Sequence, residues 1–135
     1  MEALQKAELA VKEKDEEAFT AAIRNVEDEA LLVPLYSKLL LEDWHQMHED
    51  IVFDLGLIGD PRSVEPISKA ATMQFKYLVE WQNLHEFQRK CAYALARIAT
   101  EESKEALQTL SIHADPYIRE YGKEGLEKWP LPYKK

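Results

Sequence analysis

Imidazole and carboxylate side chains lie close together in two short stretches of the sequence. The first stretch holds His45, His48 and Glu49, and the second holds His85 and Glu86. Imidazole nitrogens and carboxylate oxygens are ligands that iron and zinc accept in proteins. The two stretches are therefore candidates for a metal centre, provided that the fold brings them into register.

Nucleophilic catalysis finds little support in the sequence. Cys91 is the only cysteine, which excludes an internal disulfide bond and a metal site built from several cysteines, and which is compatible with a reducing cytoplasm. It falls among apolar residues at helical spacing, as a small buried hydrophobic side chain would. The sequence contains neither a glycine-rich phosphate loop nor a Gly-x-Ser-x-Gly elbow. The leading prediction is therefore no catalytic residue, no metal and no cofactor.

The elements that must position these side chains are helices. The 135 residues include only four glycines, and apolar residues recur at helical spacing with almost no alternating pattern. We expect one all-α domain over residues 1–129, followed by a C-terminal tail over residues 130–135. Helices are predicted at about residues 2–13, 15–26, 28–41, 44–58, 61–72, 74–82, 84–99, 102–112 and 116–129.

A 40-residue repeat runs through the middle of the chain. Residues 44–58 align with residues 84–98, and both apolar sets have spacings of 3, 4, 4 and 3, which places each set on one helical stripe. A third copy begins at Asp115, after a shorter period of 31 residues. Because one helix pair cannot bury its apolar stripe alone, we expect stacked pairs that share a core.

These units resemble HEAT repeats, specifically the short bacterial subtype. The run LGLIGDPRSVEPI at residues 55–67 and the run DPYIR at residues 115–119 are similar to the helix-turn-helix units of that family. The resemblance implies a short right-handed α-solenoid of about four stacked helix pairs. It also implies a binding scaffold, since HEAT arrays serve mostly as scaffolds and a fold does not fix an activity.

A narrower resemblance involves the run DWHQMHEDIV at residues 43–52, which is similar to a group of small single-domain bacterial HEAT proteins. Some members of such groups act as immunity proteins that neutralise a toxin. HEAT-repeat enzymes are the alternative: hydroxylases of the deoxyhypusine type, or the phycobilin lyases. The hydroxylase resemblance implies four His-Glu pairs around two irons. Only one such pair, His48-Glu49, is in register with that pattern. The equivalent position of the next repeat holds Gln88-Arg89 and not a second His-Glu pair.

All of the net charge lies in the first part of the chain. The protein has a formal charge of −8, and residues 1–50 hold 13 acidic and 5 basic side chains, whereas residues 51–135 hold 12 of each. Nucleic acid and anionic membranes are therefore poor partners, and a basic protein is a better match. No apolar run approaches the roughly 20 residues that span a bilayer, so we expect a cytoplasmic protein that is monomeric when unbound.

The difference between the two repeat periods places an irregular insert at residues 73–83. Five of its side chains are large and apolar or aromatic. They either pack on the helices as a satellite cluster or stay exposed as interface anchors, a role that favours Trp and Tyr. Both alternatives stay open at the level of sequence.

The segment before the clearest repeat combines carboxylates with Trp and His. On a helix that begins at Trp44 with Asp43 as its N-cap, His48 lies in the apolar stripe as a core residue, whereas His45 and Glu49 turn toward solvent. The sequence thus predicts a non-enzymatic interaction module, most concretely an immunity protein that neutralises a basic bacterial toxin domain. The predicted partner-binding residues are Glu42, Asp43, Trp44, His45, Glu49, Tyr77, Glu80 and Trp81.

Overall fold

The computed structural model describes residues 2–132, and within this range the chain forms helices and loops with no β-strand, which confirms the all-α prediction. Across the same residues, no helix combines the length and the apolar content needed to cross a lipid bilayer. Two 3₁₀ turns, Glu29–Leu32 and Pro61–Ser63, precede the third and fifth α-helices. The α-helices of residues 2–132 are α1 (Ala3–Lys12), α2 (Glu16–Ile23), α3 (Val33–Leu40), α4 (His48–Ile58), α5 (Val64–Ala70), α6 (Lys76–Glu80), α7 (Leu84–Ile98), α8 (Glu101–Leu110) and α9 (Pro116–Lys128).

Aspartate side chains fix where two of the helices begin. Asp15 Oδ1 accepts a hydrogen bond from the Ala18 N–H at 2.9 Å, and Asp115 Oδ1 accepts one from the Tyr117 N–H at 2.8 Å. A carboxylate that binds the free N–H groups of a first turn stabilises the helix by about 1 kcal/mol. The sequence predicts both helix starts, and the structure confirms them.

The helices pack in two rows around one core. In the first row α4 contacts α7, and α7 contacts α9; in the second row α3 contacts α5, and α5 contacts α8. The α1–α2 pair packs mainly on itself, and α3 is its main neighbour among the other helices. Cys91 is fully buried between the rows, in agreement with its predicted place on an apolar stripe. Other large buried side chains include Leu39, Leu55, Ile67, Leu95 and Leu107.

Helices α8 and α9 approach each other closely where α9 carries a glycine. A Cβ atom at Gly122 would lie 2.5 Å from the backbone nitrogen of Ser111 and 2.7 Å from the carbonyl carbon of Leu110. Both atoms belong to the backbone, which cannot rotate aside as a flexible side chain can. The spacing of these two helices therefore depends on the absence of a side chain at residue 122.

The largest departure from the predicted helices occurs at the start of α4. The helix predicted at residues 44–58 begins at His48, so Asp43 caps no helix, and residues 41–47 form a loop. The prediction is wrong because His45 binds backbone groups on either side of itself and holds the chain in a non-helical turn. The helix predicted at residues 74–82 is also shorter, and spans only Lys76–Glu80.

The described part of the C-terminal tail is attached to the helices. The Leu131 N–H donates to the Ala96 carbonyl at 2.9 Å, and the Leu131 side chain packs against the core. The indole N–H of Trp129 donates to the Thr100 carbonyl at 3.2 Å. Residues 133–135 of the predicted tail lie outside the described residues.

Candidate functional site

An open cleft of about 840 Å³ lies between the loop at residues 41–47 and the insert around α6. Composition marks the two segments separately in the sequence, and both contribute residues to the lining of this cleft. Of the predicted partner-binding residues, the cleft is lined by Glu42, Asp43, Trp44, His45, Tyr77 and Glu80.

Two histidines hold the 41–47 loop against the end of α3. Nε2 of His45 donates to the Leu39 carbonyl at 2.6 Å, and Nε2 of His48 donates to the Glu42 carbonyl at 2.6 Å. Each bond satisfies a backbone acceptor at or just beyond a helix C-terminus, where carbonyl groups lack helical partners. The loop therefore has a fixed course although it is not helical.

The same two side chains connect the loop to the insert. The imidazole rings of His45 and His48 stack with their centroids 4.2 Å apart, and Phe75 stacks on the other side of His48 at 3.8 Å. The hydroxyl of Tyr77 donates to Nδ1 of His48 at 2.8 Å. This column of stacked rings connects the 41–47 loop to the insert.

Burial keeps both imidazoles neutral. Loss of hydration, together with the neighbouring His45 ring, lowers the pKa of His48 to about 4. Burial also lowers the pKa of His45, against the opposing effects of the Leu39 carbonyl and nearby carboxylates. At neutral pH, the ring column behind the cleft therefore carries no imidazolium charge.

His45 does not lie where the helical wheel places it. Its side chain is only 2% exposed, whereas the sequence predicts a position turned toward solvent. The wheel fails because residue 45 belongs to a loop whose turn directs the ring inward. His48, in contrast, is fully buried and hydrogen-bonded, which confirms its predicted role in the core.

The histidines do not fit a metal centre. Nδ1 of His45 accepts from the Met47 N–H at 3.0 Å, so both nitrogens of His45, like those of His48, are already engaged. Within residues 2–132, no three His, Cys, Asp or Glu side chains converge in an arrangement that could hold a metal ion. His85 instead stacks on Tyr117 of α9, with ring centroids 3.6 Å apart.

The sequence left open whether the insert is buried or exposed, and the structure shows that it contains side chains of both kinds. Phe75 and Leu78 are buried and act as core residues. Tyr77 is half-buried, and it contacts the ring of Trp81 edge-on at 5.1 Å. Trp81 is 54% exposed beside the cleft, and Val79 is 48% exposed. The insert is therefore anchored by its buried side chains while it presents an aromatic surface.

Glu49 takes no part in the cleft. Its carboxylate lies 2.7 Å from Nζ of Lys90, and this ion pair links α4 to α7. The structure thus separates Glu49 from the other predicted partner-binding residues.

Two residues near α1 and α2 also shape the cleft, although the sequence reasoning missed them. Lys14 lines it, and Glu16 accepts a hydrogen bond from the Gln46 N–H at 2.6 Å. These residues lie about 30 positions before the loop, and no periodic signal connects the two segments. Lys76 adds a second ammonium group to the lining.

No protein family, curated protein or solved structure matches this chain.

Proposed function

We propose that the protein is a non-enzymatic interaction module that binds a basic protein partner at the cleft. The observation that carries this proposal is the convergence of an acidic loop and an aromatic insert on the two walls of one cleft. Exposed Trp and Tyr are the residue types that most often anchor protein interfaces. Trp81 supplies such an anchor beside the cleft, and its ring packs edge-on against that of Tyr77.

Charge favours a basic partner. The first 50 residues hold the whole excess of carboxylates. Among these, Glu42 and Asp43 line the cleft, and Glu16 accepts a hydrogen bond from the Gln46 N–H of the loop. Complementary charge speeds association and discriminates against wrong partners. A cationic surface, such as the active site of a nuclease, would meet this end of the molecule favourably.

The most concrete version of the proposal is an immunity protein that neutralises a basic bacterial toxin domain in the cytoplasm. Its support is the resemblance of residues 43–52 to small HEAT proteins of that kind, together with the acidic cleft. We also propose that the two rows of helices form a short HEAT-like solenoid. The successive contacts within each row are those that stacked helix pairs make.

Affinity capture from the native cytoplasm tests the proposed function. The purified protein, the Trp81→Ala variant and the Asp43→Lys variant serve as baits, and Ile112→Ala is the matched control because Ile112 is an 80% exposed apolar residue outside the cleft. We expect a basic protein that is retained by the wild type and the control and lost with both cleft variants. An acidic partner, or equal retention by all baits, contradicts the proposal.

The proposed immunity role requires, in addition, that the captured protein is toxic. Expression of that protein alone should arrest growth, and co-expression with the wild type should restore it. A captured protein that is harmless when expressed alone would leave the binding module intact and remove the immunity role.

A further inference from the structure

We propose that the cleft is a recognition pocket for a single cationic side chain, an arginine or lysine that projects from the partner. The inference rests on the proposed function, and it names the group of the partner that the cleft would take. Aromatic faces and carboxylates on facing walls are the combination that binds guanidinium and ammonium groups, through cation–π contact and charged hydrogen bonds.

The aromatic walls come from Trp44 and Tyr77. The indole N–H of Trp44 donates to Glu42 Oε1 at 2.9 Å, which fixes the orientation of the ring beside the cleft. The hydroxyl of Tyr77 is directed away, toward His48, so its ring and not its polar end faces the open space. Both rings are therefore oriented before any ligand enters, which reduces the entropy cost of binding.

Two carboxylates in the cleft retain the capacity to accept hydrogen bonds. Asp43 is exposed, and none of the hydrogen bonds or ion pairs within residues 2–132 involves its carboxylate. Glu80 has one cationic neighbour, Nζ of Lys76, at 3.8 Å; the two side chains are 59% and 91% exposed. An exposed pair at this distance contributes little, so Glu80 can exchange it for a ligand.

Carboxylates outnumber ammonium groups around the cleft, because Glu42, Asp43 and Glu80 line it against Lys14 and Lys76, and Glu16 is bonded to the loop at the Gln46 N–H. The carboxylates of Glu16, Glu42 and Asp43 act to raise the pKa of His45, although burial has the larger, opposite effect. The pKa of Tyr77 is raised to about 12, chiefly by burial and in smaller part by the carboxylates of Glu49, Glu16 and Asp50. A cation that enters is therefore attracted.

Neutral histidines avoid the repulsion that an imidazolium group would exert on a cationic ligand. A protonated imidazole at His45, which lines the cleft, would repel a second positive charge. Its ring is neutral at pH 7 because it is buried, and both of its nitrogens are hydrogen-bonded within the protein. The cleft thus offers aromatic faces and carboxylates without an imidazolium charge at His45.

Titration with small capped amino acids tests the inference directly. The probes are the N-acetyl amides of arginine and lysine, with the neutral citrulline analogue and the anionic glutamate analogue as comparisons. The readout is the indole N–H resonance of each tryptophan, assigned with Trp→Phe variants. Trp44 lines the cleft and Trp81 contacts the ring of Tyr77 beside it, whereas Trp129 is bonded to Thr100 and serves as an internal control.

We expect the cationic probes at low salt to shift the Trp44 and Trp81 resonances and to leave Trp129 unchanged. The Asp43→Asn/Glu80→Gln variant should weaken binding about fivefold, and the Lys14→Gln/Lys76→Gln variant should strengthen it. Equal shifts with citrulline, preferential binding of the glutamate analogue, or an unaltered affinity in the carboxylate variant would overturn the inference.

The two proposals can fail separately. A basic partner that binds the Asp43→Asn/Glu80→Gln variant as tightly as the wild type preserves the interaction module and contradicts the cation pocket. Binding of the cationic probes without any captured partner supports the pocket and contradicts the proposed function.

Discussion

The imidazole rings of His45 and His48 stack at 4.2 Å with an angle of 21° between their planes, and each ring donates to a backbone carbonyl near the end of α3. Two imidazoles at this distance cannot both be protonated, because two positive charges in a buried site would repel strongly. The stack thus connects the course of the 41–47 loop to the protonation state of its two histidines.

The first prediction is a loss of stability in mild acid. The pKa of His48 is lowered from 6.5 to about 4 by burial, so below pH 6.5 the unfolded chain takes up a proton that the folded chain does not. The stabilising contribution is complete above pH 6.5 and is lost as the pH falls toward 4, by up to about 3 kcal/mol from His48 alone. Urea unfolding at a series of pH values measures this loss.

Resonances of the imidazole ring protons provide the check on its cause. We expect those of His45 and His48 to stay constant as the pH falls below 6.5, because both rings remain neutral in the folded state. A midpoint near 6.5 for either ring would show that burial does not control its protonation.

The second prediction separates the hydroxyl of Tyr77 from its ring. Tyr77→Phe keeps the ring but leaves Nδ1 of His48 without its donor, which should cost about 1–2 kcal/mol of unfolding free energy. Tyr117→Phe is the matched control, since Tyr117 is 51% exposed and stacks on His85 through its ring. Chemical denaturation compares the two variants, and equal losses would argue against the His48 bond.

The third prediction treats Trp81 as an interface residue. Because its side chain is 54% exposed, Trp81→Ala should change the unfolding free energy by less than about 1 kcal/mol. Binding of the partner should weaken by about 2 kcal/mol or more, as for a central aromatic anchor. Calorimetric titration and thermal unfolding measure the two effects. A large loss of stability with unchanged affinity would assign Trp81 to the core.

The fourth prediction uses the close approach of α8 and α9. Gly122→Ala places a methyl group against the backbone of Ser111 and should cost about 1–3 kcal/mol, although alanine favours helices more than glycine does. Lys123→Ala, at the next and exposed position, is the control and should change little. A Gly122→Ala variant as stable as wild type would show that the helices can separate without cost.

The fifth prediction places electrostatic steering in the loop. Asp43→Lys should slow association with a basic partner and reduce the salt dependence of the rate. Glu105→Lys, an equal change of charge on α8, should affect the rate less because Glu105 is exposed and does not line the cleft. Stopped-flow kinetics at two salt concentrations distinguishes them, and equal slowing would reduce the effect to net charge.

The periodicity of apolar residues predicts the helices but does not predict the loop at residues 41–47. The apolar spacing around Ile51 and Leu55 correctly predicts α4 as a helix, because these side chains pack where the stripe places them. The same spacing extends back to Trp44, yet the bond from His45 to the Leu39 carbonyl ends the helical pattern there. That bond closes a turn between residues six positions apart, and a helical wheel, which assumes a continuous helix, does not represent such a turn.

The cleft was partly predictable for a similar reason. The mixture of Trp, His and carboxylates at residues 42–45, and the surplus of aromatic residues at 73–83, mark two walls by composition alone. Their meeting depends on the bond from Tyr77 to His48. The third contribution, from Lys14, carries no compositional mark because a lysine in a turn is ordinary in any helical protein.

The bond from Glu16 to the Gln46 N–H has a consequence for the dynamics of the chain. The α1–α2 pair has few attachments to the remaining helices, so its amides should exchange with solvent sooner than those of α7. A ligand that bridges the walls of the cleft would also restrain this pair, because the loop it grips is bonded to α2. Binding of a ligand in the cleft would then slow the exchange of the backbone amides of α1 and α2.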